Sequence, residues 1–288
     1  MARRKNRKGS GKVAAPFTLN FESTAGMAQA LRAMKAKKTW EDNWDTAAGK
    51  GESACKSFYQ LPSLESAFKL LENGDEKSAA LIRAAGDIVA PQGEGAPQIE
   101  AAVVGCMPSV PNYLRGVPKS MLAVKREPRA VPVIDIYVST GIPFNMKAED
   151  VAAAGLKIAN VVQATEMAGV RINLYAVCVA QHQNDSDTLY TMSVKVKDST
   201  EPLNLLAAAF PLIHPAFTRA IFLHAMETQC DEYIIGHGKA IGAQEIEKRG
   251  LFDGVILSTF DILNEKLSEQ DLADKINAYL ASKKGMAA

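Results

Sequence analysis

Past residue 131 the chain alternates between two hydrophobic periods. "VPVIDIYVS", "VRINLYAVCVAQ" and "LYTMSVKVKD" are short runs, rich in β-branched and aromatic residues, that read as strands. Between the first two, "KAEDVAAAGLKIANVVQATEMAG" repeats its apolar residues at helical spacing. "EPLNLLAAAFPLIHPAFTRAIFLHAMETQ" reads as helices broken near Pro211 and Pro215, "DEYIIGHG" as a strand with its turn, and "AIGAQEIEKRG" as a helix. "GVILSTFDIL" and "LSEQDLADKINAYLASKK" close the series as a strand and a helix. Strands that alternate with helices of this length predict an α/β fold, a mainly parallel sheet sandwiched by helices and Rossmann-like in its layering, over residues 131–288.

The upstream pattern is different. Residues 16–90 read as a helical N-terminal region. "AGMAQALRAMKAKK" is helix-like, and "LPSLESAFKLLENGDEKSAALIRAAGDIV" reads as two short helices, with Ser63, Glu65 and Ser66 as a start signal and Asn73-Gly74 as a stop. Trp40 and Trp44 share a helical face and read as anchors on the main domain. Residues 91–130 are rich in proline and glycine and predict a connector, with strand edges and loop anchors around Val103 and Met121.

Residues 1–15 hold Arg3, Arg4, Lys5, Arg7, Lys8 and Lys12 among glycine and serine, with almost nothing apolar to bury. That composition predicts a flexible basic arm, suited to solubility or to contact with DNA, RNA or an acidic partner.

Composition narrows the function classes. With 288 residues, 47% of them hydrophobic, the chain can bury a large core, while a net charge of +1 confines any phosphate binding to local patches such as the arm. No apolar run approaches the roughly 20 residues of a membrane span, and the N-terminus lacks the apolar core of a secretory signal, so a cytoplasmic protein with no membrane partner is expected. Cys55, Cys106, Cys178 and Cys230 are scattered, without zinc or disulfide spacing, and no internal repeat is evident.

In open α/β sheets ligands collect at the carboxyl ends of strands, which singles out two turns. The first is "YVSTG", residues 137–141, between the strand and the alanine-rich helix. The second is "YIIGHGKAIG", with Gly236, Gly238 and Gly242 between a strand and a helix and Asp253 downstream. The full dinucleotide fingerprint G-x-G-x-x-G is missing from it, so an ordinary glycine turn is expected there, and His237 and Lys239 read as exposed turn residues. Ser139 lacks the G-x-S-x-G context of a strained nucleophile. His182, His214, His224 and His237 lack metal-ligand spacing, and His214, between Ile213 and Pro215, reads as a structural histidine.

An apolar strand, a small-residue turn, an amphipathic helix, a glycine and a β-branched strand together resemble the first β-α-β unit of von Willebrand factor A-like domains. The resemblance implies a divalent cation held at this turn by D-x-S-x-S. Aligned on Ser139, however, Tyr137 stands where the aspartate belongs and Gly141 where the second serine belongs. Asp135, two residues earlier, is too far back along the strand to substitute. Ser139 and Thr140 are therefore expected to form a degenerate metal-site turn, with no metal or other cofactor.

"AAGLKIANVVQATEMAGVRINLYAV" and "KVKDSTEPLNLLAAAFPLIHPAFTR", the latter with Lys197, Pro202, His214, Pro215 and Arg219, are similar to a broad family of proteins encoded by tailed bacteriophages and prophages. The proline-glycine connector "GCMPSVPNYLRGVPKSM" and the helix entry "KSFYQLPSLESAFKLLENG" fit the same pattern, which covers roughly residues 40 to 230. This resemblance implies phage origin and an α/β domain, and it brings no catalytic residues. The expected role is a non-enzymatic one, association with itself or with other phage proteins, in the host cytoplasm or the virion. Two alternatives stand beside it: a nucleic-acid-binding phage protein using the arm, and a nucleotide- or metal-dependent enzyme at the Ser139 or Gly236 turn.

Overall fold

The computed structural model describes residues 15–37, 56–84, 98–104, 107–125, 132–143, 145–231 and 239–286. Its centre is a six-stranded mixed sheet. β5 (Val133–Ser139) lies between β6 (Arg171–Gln181) and β9 (Val255–Ser258), parallel to both. β7 (Leu189–Lys197) returns antiparallel to β6, and β1 (Phe17–Phe21) closes that edge parallel to β7. The short β8 (Lys239–Ala240) pairs with the far end of β6. The sheet is therefore mostly parallel, as the alternating pattern predicts.

β1 is absent from the sequence reading. "FTLNF" alternates half-buried and exposed residues, the signature of an edge strand, but it is only five residues long and its partner lies far down the chain.

On one face of the sheet, Ile134, Ile136 and Val138 of β5 and Ile172, Leu174 and Ala176 of β6 point into the main core. α5 (Ala148–Met167) covers them with a stripe of Val151, Ala154, Ile158, Val161 and Val162 at helical spacing. Each large aliphatic side chain so buried contributes about 1.5–3 kcal/mol. Gly155 sits in that stripe because α6 (Leu205–Ile213) crosses there. A Cβ at 155 would lie 2.4 Å from the Leu212 carbonyl oxygen and 2.5 Å from Ile213 Cγ2. On the opposite face, α8 (Ala243–Lys248) packs Ile246 against Val179 and Ile256 in a second, smaller core.

The N-terminal helices belong to the main core. α1 (Thr24–Ala33), α2 (Leu64–Asn73) and α3 (Glu76–Ala84) contribute Met27, Leu31, Phe68, Leu71 and Ile82 to it. The predicted signals operate as read: Ser63 Oγ accepts from the Ser66 amide at 3.2 Å, and Gly74, at φ +85°, ends α2. Arg32 joins α1 to α2 through Glu65 and Glu72.

Two boundaries differ from the pattern. Pro211 lies inside α6, and the chain breaks only at His214–Ala216, after which a π-helical turn (Phe217–Phe222) runs into α7 (Leu223–Gln229). "STFDIL" leaves the strand at once: Ser258 Oγ accepts from the Asp261 amide at 3.2 Å and caps α9 (Thr259–Glu265), ahead of α10 (Glu269–Met286). Among the described residues no single helix is long and apolar enough to span a membrane; the bent pair Leu205–Ile213 and Phe217–Gln229 passes that test only together, and most of its side chains are buried in the core.

Where the sequence predicts strand edges and loop anchors, residues 98–125 build a small antiparallel sheet. β4 (Met121–Lys125) lies between β2 (Gln98–Ala102) and β3 (Met107–Pro108), and α4 (Val110–Leu114) follows β3.

Candidate functional site

The carboxyl ends of β5 and β9 lie side by side, with Ser139 opposite Ser258. This is where the Ser139 turn would have to work, and the turn is sealed into the protein. Ser139 is fully buried and Thr140 is 6% exposed. The Thr140 amide donates to the Val177 carbonyl at 2.8 Å, and its hydroxyl donates to the same oxygen at 3.2 Å while lying 3.1 Å from Cys178 Sγ. From the π-helical turn, Thr218 donates its hydroxyl to the Thr140 carbonyl at 2.6 Å. Burial pushes the Cys178 thiol up to about 12, so it is neutral near pH 7.

Tyr137, at the position of the expected aspartate, is an aromatic strut. Its ring stacks on Tyr175 at 4.8 Å and on Phe252 at 4.6 Å between centroids, and burial with nearby Asp135 lifts its phenol to about 12. Asp135 faces the same side and accepts from Asn173 Nδ2 at 2.7 Å, well back from the turn, as the strand geometry predicts.

Gly141 is similarly closed in: a Cβ there would stand 3.3 Å from the Val179 carbonyl oxygen and 3.9 Å from the Ala240 side chain. Asp261 lies in the first turn of the helix that Ser258 caps. Its Oδ2 accepts from the Ala243 amide at 2.7 Å at the start of α8, and Gly242 is a glycine because a Cβ there would be 2.3 Å from Asp261 Oδ1. That carboxylate is committed to joining α8 to α9.

Two buried hydroxyls, Ser139 Oγ and Thr259 Oγ1, have no hydrogen-bond partner at this end of the sheet. Magnesium requires carboxylates or phosphates to offset its dehydration, and two neutral hydroxyls do not supply them. Among the described residues no cluster of three histidine, cysteine, aspartate or glutamate side chains could hold a metal ion. The residues at this turn do not fit the cation that the von Willebrand A resemblance implies.

One residue from Thr218 lies Arg219, which in the sequence reading belongs only to a family-like segment and has no role. Arg219 is 5% exposed, stacked on the Phe58 ring at 5.2 Å, with Nη1 donating to the Phe58 carbonyl at 3.3 Å and Nη2 to the Met146 carbonyl. Burial lowers its pKa, and its Nε is without a partner. Arg219 thus ties the segment before α2 to the loop after β5 through backbone carbonyls. As a lone arginine in an apolar stretch it carries no sequence signal of this bonding, because a solvated position is the default reading.

His214 and His224 are both buried or half-buried and hydrogen-bonded within the fold. His214 Nδ1 accepts from the Ala216 amide at 3.1 Å, and His224 Nε2 lies 3.1 Å from the Leu31 carbonyl with its ring edge-on to Phe68. Burial lowers the pKa of both. Cys178 and Cys230 are buried in the core. Lys197 is buried because an irregularity between Leu174 and Tyr175 turns it toward the helical face, where its ammonium meets Glu166 Oε1 at 2.6 Å and the Ile172 carbonyl at 3.1 Å. Arg3, Arg4, Lys5, Arg7, Lys8 and Lys12, Trp40, Trp44, and the turn with Gly236, His237 and Gly238 lie outside the described residues.

No curated protein and no solved structure matches the chain. The family model described as domain of unknown function DUF7192 matches residues 8–282, and this chain belongs to that family.

Proposed function

We propose that this chain acts by holding other proteins, as an assembly or docking component, and that it makes and breaks no bonds. The observation that carries the reading is the filled turn. In a domain that resembles the von Willebrand A type, the place for a cation is taken up by the Thr140–Thr218 hydrogen bond, the buried Ser139 and the Tyr137 stack. What remains for work is surface. The similarity of the core segments to tailed-phage proteins makes a phage particle, or a complex formed in the infected host cell, the natural setting.

Quantitative mass spectrometry of purified particles and of complexes from infected cells tests this. A fixed copy number relative to a known particle or complex protein is expected. Loss of the chain at the first purification step from both, together with magnesium- or nucleotide-dependent heat in calorimetry that Ser139→Ala abolishes, would overturn it.

The basic arm favours a second reading, in which Arg3, Arg4, Lys5, Arg7, Lys8 and Lys12 contact nucleic-acid phosphates. Binding would then weaken steeply with salt and vanish on deletion of residues 1–12. Salt-insensitive binding would exclude it.

A further inference from the structure

We infer that the small antiparallel sheet of residues 98–125 is a self-association surface whose occupant is the same module of a second copy of this chain. The inference rests on the association reading above and gives it a surface and a partner.

The module is ordered by its own bonds. β4 pairs with β2 and β3, the Ser109 amide donates to the Ser120 carbonyl at 2.8 Å, Asn112 Nδ2 donates to the Lys119 carbonyl at 3.3 Å, and Gly116, at φ +65°, turns the chain after α4. On this frame Val103, Val104, Met107, Val110, Tyr113 and Leu114 are each between 53 and 82% exposed. A soluble monomer scatters such residues singly, whereas here six fall between positions 103 and 114.

Area and charge choose the occupant. The six residues leave on the order of 800 Å² uncovered, about what one partner contributes to a standard protein interface. Within residues 98–125 the charged side chains are Glu100, Arg115, Lys119 and Lys125, and none of them falls between 103 and 114. Nucleic acid needs a denser cationic surface, and a charged protein surface would leave its own groups unpaired against this one. An apolar, nearly uncharged surface is complementary to itself, which is what a twofold interface between identical chains requires.

The test compares the full chain with the Val104→Lys/Leu114→Lys variant by mass photometry and sedimentation across the micromolar range. Both positions are exposed, so the circular dichroism spectrum of the folded chain should not change, while loss of the dimer lowers the thermal midpoint only through mass action. The wild type is expected at twice the 30.9 kDa chain mass, and the variant as a monomer with self-affinity weakened about a hundredfold, since each unpaired lysine placed in an apolar interface costs about a factor of ten or more. A photocrosslinker at Tyr113 should join two copies of the chain, which gives a readout even if the lysine variant folds poorly.

A dimer that persists unchanged in the folded variant would overturn the inference and leave the association reading standing. A monomeric wild type whose Tyr113 crosslinker captures a different particle protein would do the same. A monomeric wild type that cosediments with phosphatidylcholine vesicles would overturn it in favour of a lipid surface. A monomer that joins neither particle nor complex would remove both.

Discussion

Thr218 donates its hydroxyl proton to the Thr140 carbonyl oxygen at 2.6 Å, across 78 residues of chain, and so fastens the turn after the central strand to the π-helical turn above it. Thr218→Val, of similar shape, would leave that buried carbonyl without a donor. A loss of about 1–3 kcal/mol is expected, with Thr218→Ser retaining most of it, as read from urea unfolding.

Gly155 should resist even the smallest substitution. In an open helix Gly→Ala stabilises by about 1 kcal/mol, but here the new methyl would meet the Leu212 carbonyl oxygen and Ile213 Cγ2 well inside contact distance. Gly155→Ala is expected to destabilise by about 1–3 kcal/mol, visible as a lower thermal midpoint. A neutral result would mean that α5 and α6 stand further apart.

The Lys197–Glu166 pair predicts an asymmetry. The Lys197 side chain is 1% exposed and that of Glu166 18%. Glu166→Gln leaves an ammonium buried beside the Ile172 and Asp198 carbonyls, whereas Lys197→Met removes the buried charge and leaves a carboxylate that water can reach. Glu166→Gln should cost about 3–5 kcal/mol and Lys197→Met less, and the double variant should recover part of the loss.

Acid should loosen the contact between α1 and α7 through His224. Burial lowers its folded-state pKa, with the Leu31 carbonyl and Glu227 opposing that shift. Because the unfolded imidazole binds its proton at higher pH than the folded one, the stabilisation is complete above the ordinary histidine value of about 6.5 and declines as pH falls below it. His214, lowered in the same direction, adds to the effect. Denaturant midpoints should fall between about pH 7 and pH 5, and His224→Gln should flatten part of that slope.

The elements readable from sequence were those whose causes are local. Ser63 and Gly74 bound α2 because cap chemistry needs only neighbouring atoms, and the strand-turn-helix of residues 133–167 follows from its own periodicity. What escaped depended on distant partners. β1 is a strand only because β7 offers its edge, Pro211 stays helical within a segment buried between α3, α5 and the sheet, and Arg219 is buried because Phe58 and Met146 present carbonyls to it. The pieces around Val103 and Met121 read as strand edges and loop anchors, and β2 and β4 lie there, but sequence does not reveal which of the neighbouring hydrophobic residues find a partner within the same chain.

The most direct test of association without a cation is the mass of the full chain in solution, measured with EDTA and again with excess magnesium. The account predicts one species heavier than the 30.9 kDa monomer, with the same mass in both conditions and in Ser139→Ala. A chain that stays monomeric with EDTA and assembles only when magnesium is added, and no longer does so once Ser139 is replaced, would contradict it.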